Sequence, residues 1–197
     1  MVVYGSDVCR YKPYRRNEVI PNEVVCEQVY TYLLDNYHDN QLETDTYRLG
    51  QLEENMAYDG DFRPFFQYIA DSIHTFASQR DRQKGEAFVH GYTLALTSQC
   101  SYYRPISELD NQGGYADIFL RPRQEIFTDM EHSYIIELKY LRSHATDMEA
   151  EAAVREARAQ VLRYADTVNV GENIGHTTLH KVIVVYCGVD MVACEDV

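Results

Sequence analysis

The segment Ser133–Leu141 constrains this chain more than any other, because it is strongly apolar yet carries a carboxylate and an ammonium near its centre. Side chains alternate faces along a strand. Read as a strand, the segment puts Tyr134, Ile136, Leu138 and Tyr140 on one face, wholly hydrophobic or aromatic. Ile135, Glu137, Lys139 and Leu141 share the other. Burying unpaired charge in such a strand is costly, so Glu137 and Lys139 need partners or a cleft. A preceding strand, Tyr115–Leu120, stops at Pro122 and places Asp117 on one face with Tyr115 and Phe119. If the two strands are sheet neighbours, Asp117 meets Glu137 and Lys139.

The elements around these strands predict an α/β fold with a mixed central sheet. A helix spans about Lys84 to Cys100, with Phe88, Val89, Tyr92 and Leu96 as its apolar positions. Tyr102–Leu109 reads as a strand, and Asp110-Asn-Gln-Gly-Gly114 as the turn of a hairpin. Thr146 and Glu149 have capping-box spacing and start an Ala-rich helix that runs to about Thr167. On that helix Glu149, Glu156 and Arg163 are expected to face solvent. Residues 180–187 form a buried strand, and Met191–Cys194 adds a short last one. The order is helix, three strands beginning as a hairpin, helix, strand. Before this unit, residues 1–20 read as irregular. An amphipathic helix follows from Pro21-Asn22 to about Asn36, then a polar, acidic stretch over 36–60, then a helix from about Phe62 to Ser78. Both helices read as packing elements.

Bulk properties limit the function classes. Of the 197 residues, 45% are hydrophobic and 25% charged, the balance of a globular protein. No apolar run approaches the roughly 18 residues that cross a bilayer, and no secretory pattern opens the chain, so it is expected to be cytoplasmic. Cys9, Cys26, Cys100, Cys187 and Cys194 lie far apart with no C-x-x-C pair, so neither a zinc ribbon nor a disulfide framework is suggested. The net charge of -13 opposes tight, unaided binding of nucleic acid. Its distribution is uneven: eight acidic residues and one basic residue lie between Asp35 and Asp61, against nine and seven between Gly114 and Ala165.

Two adjacent carboxylates repel, and one is driven to a higher pKa unless a cation lies between them. Oxygen ligands of this kind suit Mg²⁺ or Mn²⁺ rather than zinc. A divalent cation at Asp117 and Glu137 would polarise a phosphodiester and acidify a bound water. Lys139 would orient or deprotonate that water and offset transition-state charge. The plainer alternative is a Glu137–Lys139 ion pair on an exposed strand face.

Glu86, Asp117 in Gly114-Tyr-Ala-Asp-Ile-Phe-Leu, Glu137-Leu-Lys139 and Gln160-Val-Leu-Arg-Tyr164 occur in the order that resembles the PD-(D/E)XK nuclease superfamily. The resemblance is to the nuclease-like domain that follows an AAA-ATPase-like module in many bacterial proteins. It spans residues 84–188 and implies a restriction-endonuclease-like fold and a metal-dependent hydrolase of phosphodiesters in DNA or RNA. By resemblance, Asp117 and Glu137 are metal ligands with the Leu138 carbonyl as a third, Glu86 reaches the metal directly or through water, and Lys139 is the catalytic lysine. Gln160 and Tyr164 shape the site or hold a backbone phosphate. Tyr115-Ala116 stands where the family pattern has a basic residue, which weakens phosphate contact at the hairpin. Ile20-Pro-Asn-Glu-Val-Val25 resembles the end of the ATPase-like module, and no Walker A motif is present. The chain thus reads as the C-terminal part of a longer protein or a stand-alone relative, with a helical extension over 1–80 and the nuclease-like domain over 81–197. An ATPase-like module in the same or a partner chain is the implied partner, beside nucleic acid.

Each residue also has a plainer role open to it. Glu86 can be a solvated helix residue, Asp117 a cap on the Gly113-Gly114 turn, Gln160 and Tyr164 packing residues, and His90 a structural histidine. For the whole domain, the alternative to an enzyme is a non-catalytic module of the same fold that binds nucleic acid or protein.

Overall fold

A computed structural model of the chain describes residues 9–10, 19–20, 45–76, 86–99, 101–111, 114–165 and 168–197. The chain divides into two units, Met1–Glu43 and Thr44–Val197. In the first, β1 (Cys9–Arg10) pairs antiparallel with β2 (Val19–Ile20). This pairing falls inside the segment expected to be irregular; two residues per strand are too few to leave an alternating pattern in sequence. The helix expected over Pro21–Asn36 lies outside the described residues.

The second unit opens with α1 (Thr46–Asp59), a helix inside the polar, acidic stretch 36–60 for which the sequence predicts no element. Asp45 caps its start, its carboxylate accepting the Arg48 amide at 2.9 Å. Gly60 ends it in the left-handed conformation, φ 71°. The buried stripe is Leu49, Glu53, Met56 and Ala57, spaced as one helix face should be. One of the four is a glutamate, which hides the apolar period from a sequence reader. Its Oε2 accepts the Tyr102 amide at 3.4 Å. Next, α2 (Arg63–Phe76) buries Phe65, Phe66, Ile69, Ala70 and Ile73, in agreement with the predicted helix.

The remaining elements are α3 (Glu86–Ser98), β3 (Tyr103–Asn111), β4 (Gly114–Pro122), β5 (His132–Leu141), α4 (Asp147–Ala165), α5 (Val168–Gly171), β6 (Thr178–Cys187) and β7 (Asp190–Asp196). Thr146 and Glu149 form the expected capping box: Thr146 N–H donates to Glu149 Oε2 at 2.7 Å, and Glu149 N–H to Thr146 Oγ1 at 3.3 Å.

The strands form one mixed sheet in the order β3-β4-β5-β6-β7. β5 and β6 run parallel from His132↔Thr178 to Leu141↔Cys187, and the other neighbouring pairs are antiparallel. A parallel pair needs a long crossover, and α4 supplies it. The helix lies on one face, where Ala157, Val161, Tyr164 and Ala165 pack with Phe119, Ile135 and Ile183. Tyr134, of opposite parity to Ile135, donates its hydroxyl to the Met56 carbonyl in α1 at 2.7 Å. α1 and α2 therefore cover the other face. The result is the α/β fold with a mixed central sheet that the sequence implies. Among the described residues, no helix is long and apolar enough to cross a membrane.

Candidate active site

The antiparallel register of β4 on β5 runs from Leu120↔Tyr134 through Phe119↔Ile135 to Ile118↔Ile136. The next residues, Asp117 and Glu137, follow on the same side of the sheet, since opposed residues in a ladder share a face. Here the Asp117 side chain turns to the neighbouring backbone: its Oδ2 accepts the Leu138 amide at 2.8 Å. This hydrogen bond to a charged acceptor holds the carboxylate at β5. Behind it, His90 on α3 donates Nε2–H to the Asp117 carbonyl at 3.0 Å. His90 thereby has a structural role, fixing the Asp117 backbone.

Glu137 is only 3% exposed. Its Oε1 lies 3.0 Å from Lys139 Nζ, while its Oε2 is buried with no hydrogen-bond partner among the described residues. Burial, reinforced by the charge of Asp117 and opposed by Lys139, pushes the Glu137 carboxyl up from 4.5 to about 7. An ion pair by itself would lower that value, so desolvation and like charge outweigh the lysine here. Lys139 is raised as well, against the direction in which burial alone moves a base. Burial lowers it, but Glu137, Glu156 and Asp117 together hold it above the ordinary lysine value. Its ammonium also lies 3.6 Å from Glu156 Oε1 on α4.

The other candidate residues are placed as follows. Glu86 opens α3, one turn before His90; its side chain lies outside the described residues. Gln160 is half-buried, one turn after Glu156, and its Oε1 is buried without a partner among the described residues. Tyr164 is buried in the apolar cluster with Ile135 and Phe119, with the Arg163 guanidinium 5.9 Å from its ring centroid. Leu138 is buried, its amide engaged by Asp117. Glu149, Glu156 and Arg163 are exposed, as expected. Sequence reading did not connect Glu156 with Lys139; the available signal was its position one turn before Gln160 on the same helix.

A family model of the PD-(D/E)XK nuclease superfamily matches residues 84–196, more than half of the chain. The chain belongs to the PD-(D/E)XK nuclease superfamily. No curated protein and no solved structure matches it. In this PD-(D/E)XK domain the matched region begins just before α3 and ends with the last residue of β7, so it takes in every element that carries a candidate residue.

Among the described residues, no group of three or more His, Cys, Asp or Glu side chains stands close enough to hold a metal ion. The donors present nevertheless fit a hard divalent cation. Mg²⁺ is commonly held by one or two carboxylates, with water and substrate phosphate completing its shell. Asp117 and Glu137 are two such carboxylates on neighbouring strands, and the buried Glu137 Oε2 has among the described residues no partner of the kind a cation would provide.

Proposed function

We propose that this PD-(D/E)XK domain hydrolyses phosphodiester bonds of nucleic acid with a divalent cation, Mg²⁺ or Mn²⁺. Asp117 and Glu137 would hold the cation, with the Leu138 carbonyl as a further ligand and Glu86 acting directly or through water. When bound, such an ion neutralises charge on the phosphate and lowers the pKa of a coordinated water. The observation that carries this reading is the buried Glu137 Oε2, without a hydrogen-bond partner among the described residues, beside Asp117 and Lys139. A buried carboxylate near another carboxylate, with the Lys139 ammonium at only one of its oxygens, is costly without a further cation.

Lys139 stays charged near neutral pH, because its acidic neighbours raise its pKa. This favours a lysine that orients water and offsets negative charge over one that removes a proton. Gln160 offers a buried acceptor oxygen on the same face, and Tyr164 supports the helix that carries it by packing on Ile135 and Phe119.

One observation favours a second reading. The net charge of -13 gives weak electrostatic attraction to a polyanion, which suits a binding module coupled to an AAA-ATPase-like partner in the same or another chain. Cleavage assays on single- and double-stranded DNA and RNA with Mg²⁺ or Mn²⁺, beside calorimetric titration of Mn²⁺, separate the two. Metal binding with cleavage that Lys139→Ala abolishes supports the enzyme. No metal binding and no cleavage leaves the module.

A further inference from the structure

We propose that Glu156 is a positioning residue that holds the Lys139 ammonium from the helix side of the site; this rests on the reading of Lys139 as the lysine that acts on the water. Lys139 Nζ is placed between two carboxylates borne by different elements. Glu137 Oε1, on its own strand, is 3.0 Å away, and Glu156 Oε1, on α4, is 3.6 Å away.

The burial of the two partners shows the direction of the contact. The Lys139 side chain is 21% exposed and that of Glu156 is 64% exposed. The lysine thus points into the seam between β5 and α4, and the glutamate reaches down to it from the rim. α4 packs on the sheet through Ala153, Ala157, Val161 and Tyr164, at spacings of three and four. Two of these four are alanines, so the helix lies close over β5, which brings Glu156 within reach of a residue in the middle of that strand.

A lysine side chain has four rotatable bonds, and a single carboxylate two residues away on the same strand restrains it from one side only. A second carboxylate from the covering helix fixes its heading. The arrangement matters most when Glu137 holds a cation, because Glu156 then remains as the carboxylate that retains Lys139. An exposed ion pair adds little to stability, so the contribution is to placement rather than to folding, and a Glu156→Gln variant should fold and melt like the parent.

The test uses the full chain with ¹³C-labelled lysine, which gives signals from Lys12, Lys84, Lys139 and Lys181; Lys139→Ala assigns the relevant one. In chelator, the Lys139 Cε methylene should be motionally restricted in the parent and in Glu151→Gln. That control removes the same charge from an exposed residue of the same helix that pairs with Arg155 instead. In Glu156→Gln the methylene should gain the mobility of a solvent-exposed lysine. With Mg²⁺, Glu156→Gln should lower kcat about tenfold and leave KM within about twofold, the pattern of a misplaced catalytic group. Equal restriction of Lys139 in parent and Glu156→Gln overturns the proposal. So does loosening of the same size in Glu151→Gln, or a loosened lysine with unchanged kcat. In a parent that cleaves nothing, the functional reading falls, and the methylene signal still decides whether Glu156 holds Lys139.

Discussion

Asp117 Oδ2 accepts the Leu138 amide at 2.8 Å, so one of the two candidate metal carboxylates is fastened to the backbone of the strand that carries the other. The bond fixes the distance between two like charges that would otherwise move apart. Asp117→Asn keeps an acceptor oxygen there and removes the charge that helps push Glu137 up. Its metal-free form should therefore be at least as stable as the parent. Asp117→Ala leaves the Leu138 amide without that acceptor and should cost about 1–3 kcal/mol. Chemical denaturation in chelator checks both, and an Asn variant less stable than the Ala variant would contradict the argument.

Glu137 gives the metal-free protein a defined pH dependence. Its folded pKa, about 7, lies above its ordinary 4.5. Between these values the folded state holds a proton that the unfolded state has released, so Glu137 makes stability fall as pH rises through this window. Its full penalty is present above about pH 7. That penalty is on the order of 3 kcal/mol, at about 1.4 kcal/mol per pKa unit, and it already contains the opposing contact with Lys139. Glu137→Gln should lack this slope and be the more stable protein at pH 8. Denaturation midpoints measured from pH 5 to pH 8 in chelator read the difference.

Metal linkage should distinguish Glu137 from Lys139. Mg²⁺ at about 100 times its Kd should stabilise the parent by about 2.7 kcal/mol. Lys139→Ala should retain most of that stabilisation and lose cleavage. Glu137→Gln should lose most of both, since a neutral amide oxygen replaces an anionic ligand. Melting curves with and without Mg²⁺, beside calorimetric titration with Mn²⁺, give the comparison. Equal stabilisation of all three proteins by Mg²⁺ would place the cation elsewhere.

The cap between α1 and α2 should be sensitive for a steric reason. At Gly60, φ is 71°, and an added Cβ would stand 3.1 Å from the His132 ring. Gly60→Ala therefore combines left-handed strain of about 1–2 kcal/mol with a close contact. Thr146→Ala, which removes one side of the α4 capping box, should cost about 1 kcal/mol and cause no clash. Thermal unfolding in chelator should rank Gly60→Ala as the more damaging of the two.

The alternation Ile135-Ile136-Glu137-Leu138-Lys139 was enough to place a carboxylate and an ammonium on one face of a buried strand. A period of two leaves no other arrangement once the residues form a strand. Capping residues and helical spacing similarly determined α4, and with it a crossover long enough to make β5 and β6 parallel. Their type and order were local properties of the chain. α1 escaped because its buried stripe includes Glu53, whose acceptable burial depends on the distant Tyr102 amide. The meeting of Asp117 with Glu137, the burial of Glu137 Oε2 and the approach of Glu156 to Lys139 were likewise decided by the tertiary structure. Sequence spacing determines the face on which a charge lies. What that charge becomes depends on dielectric and on partners brought from other elements, and those exist only once the strands are paired and α4 is seated on them.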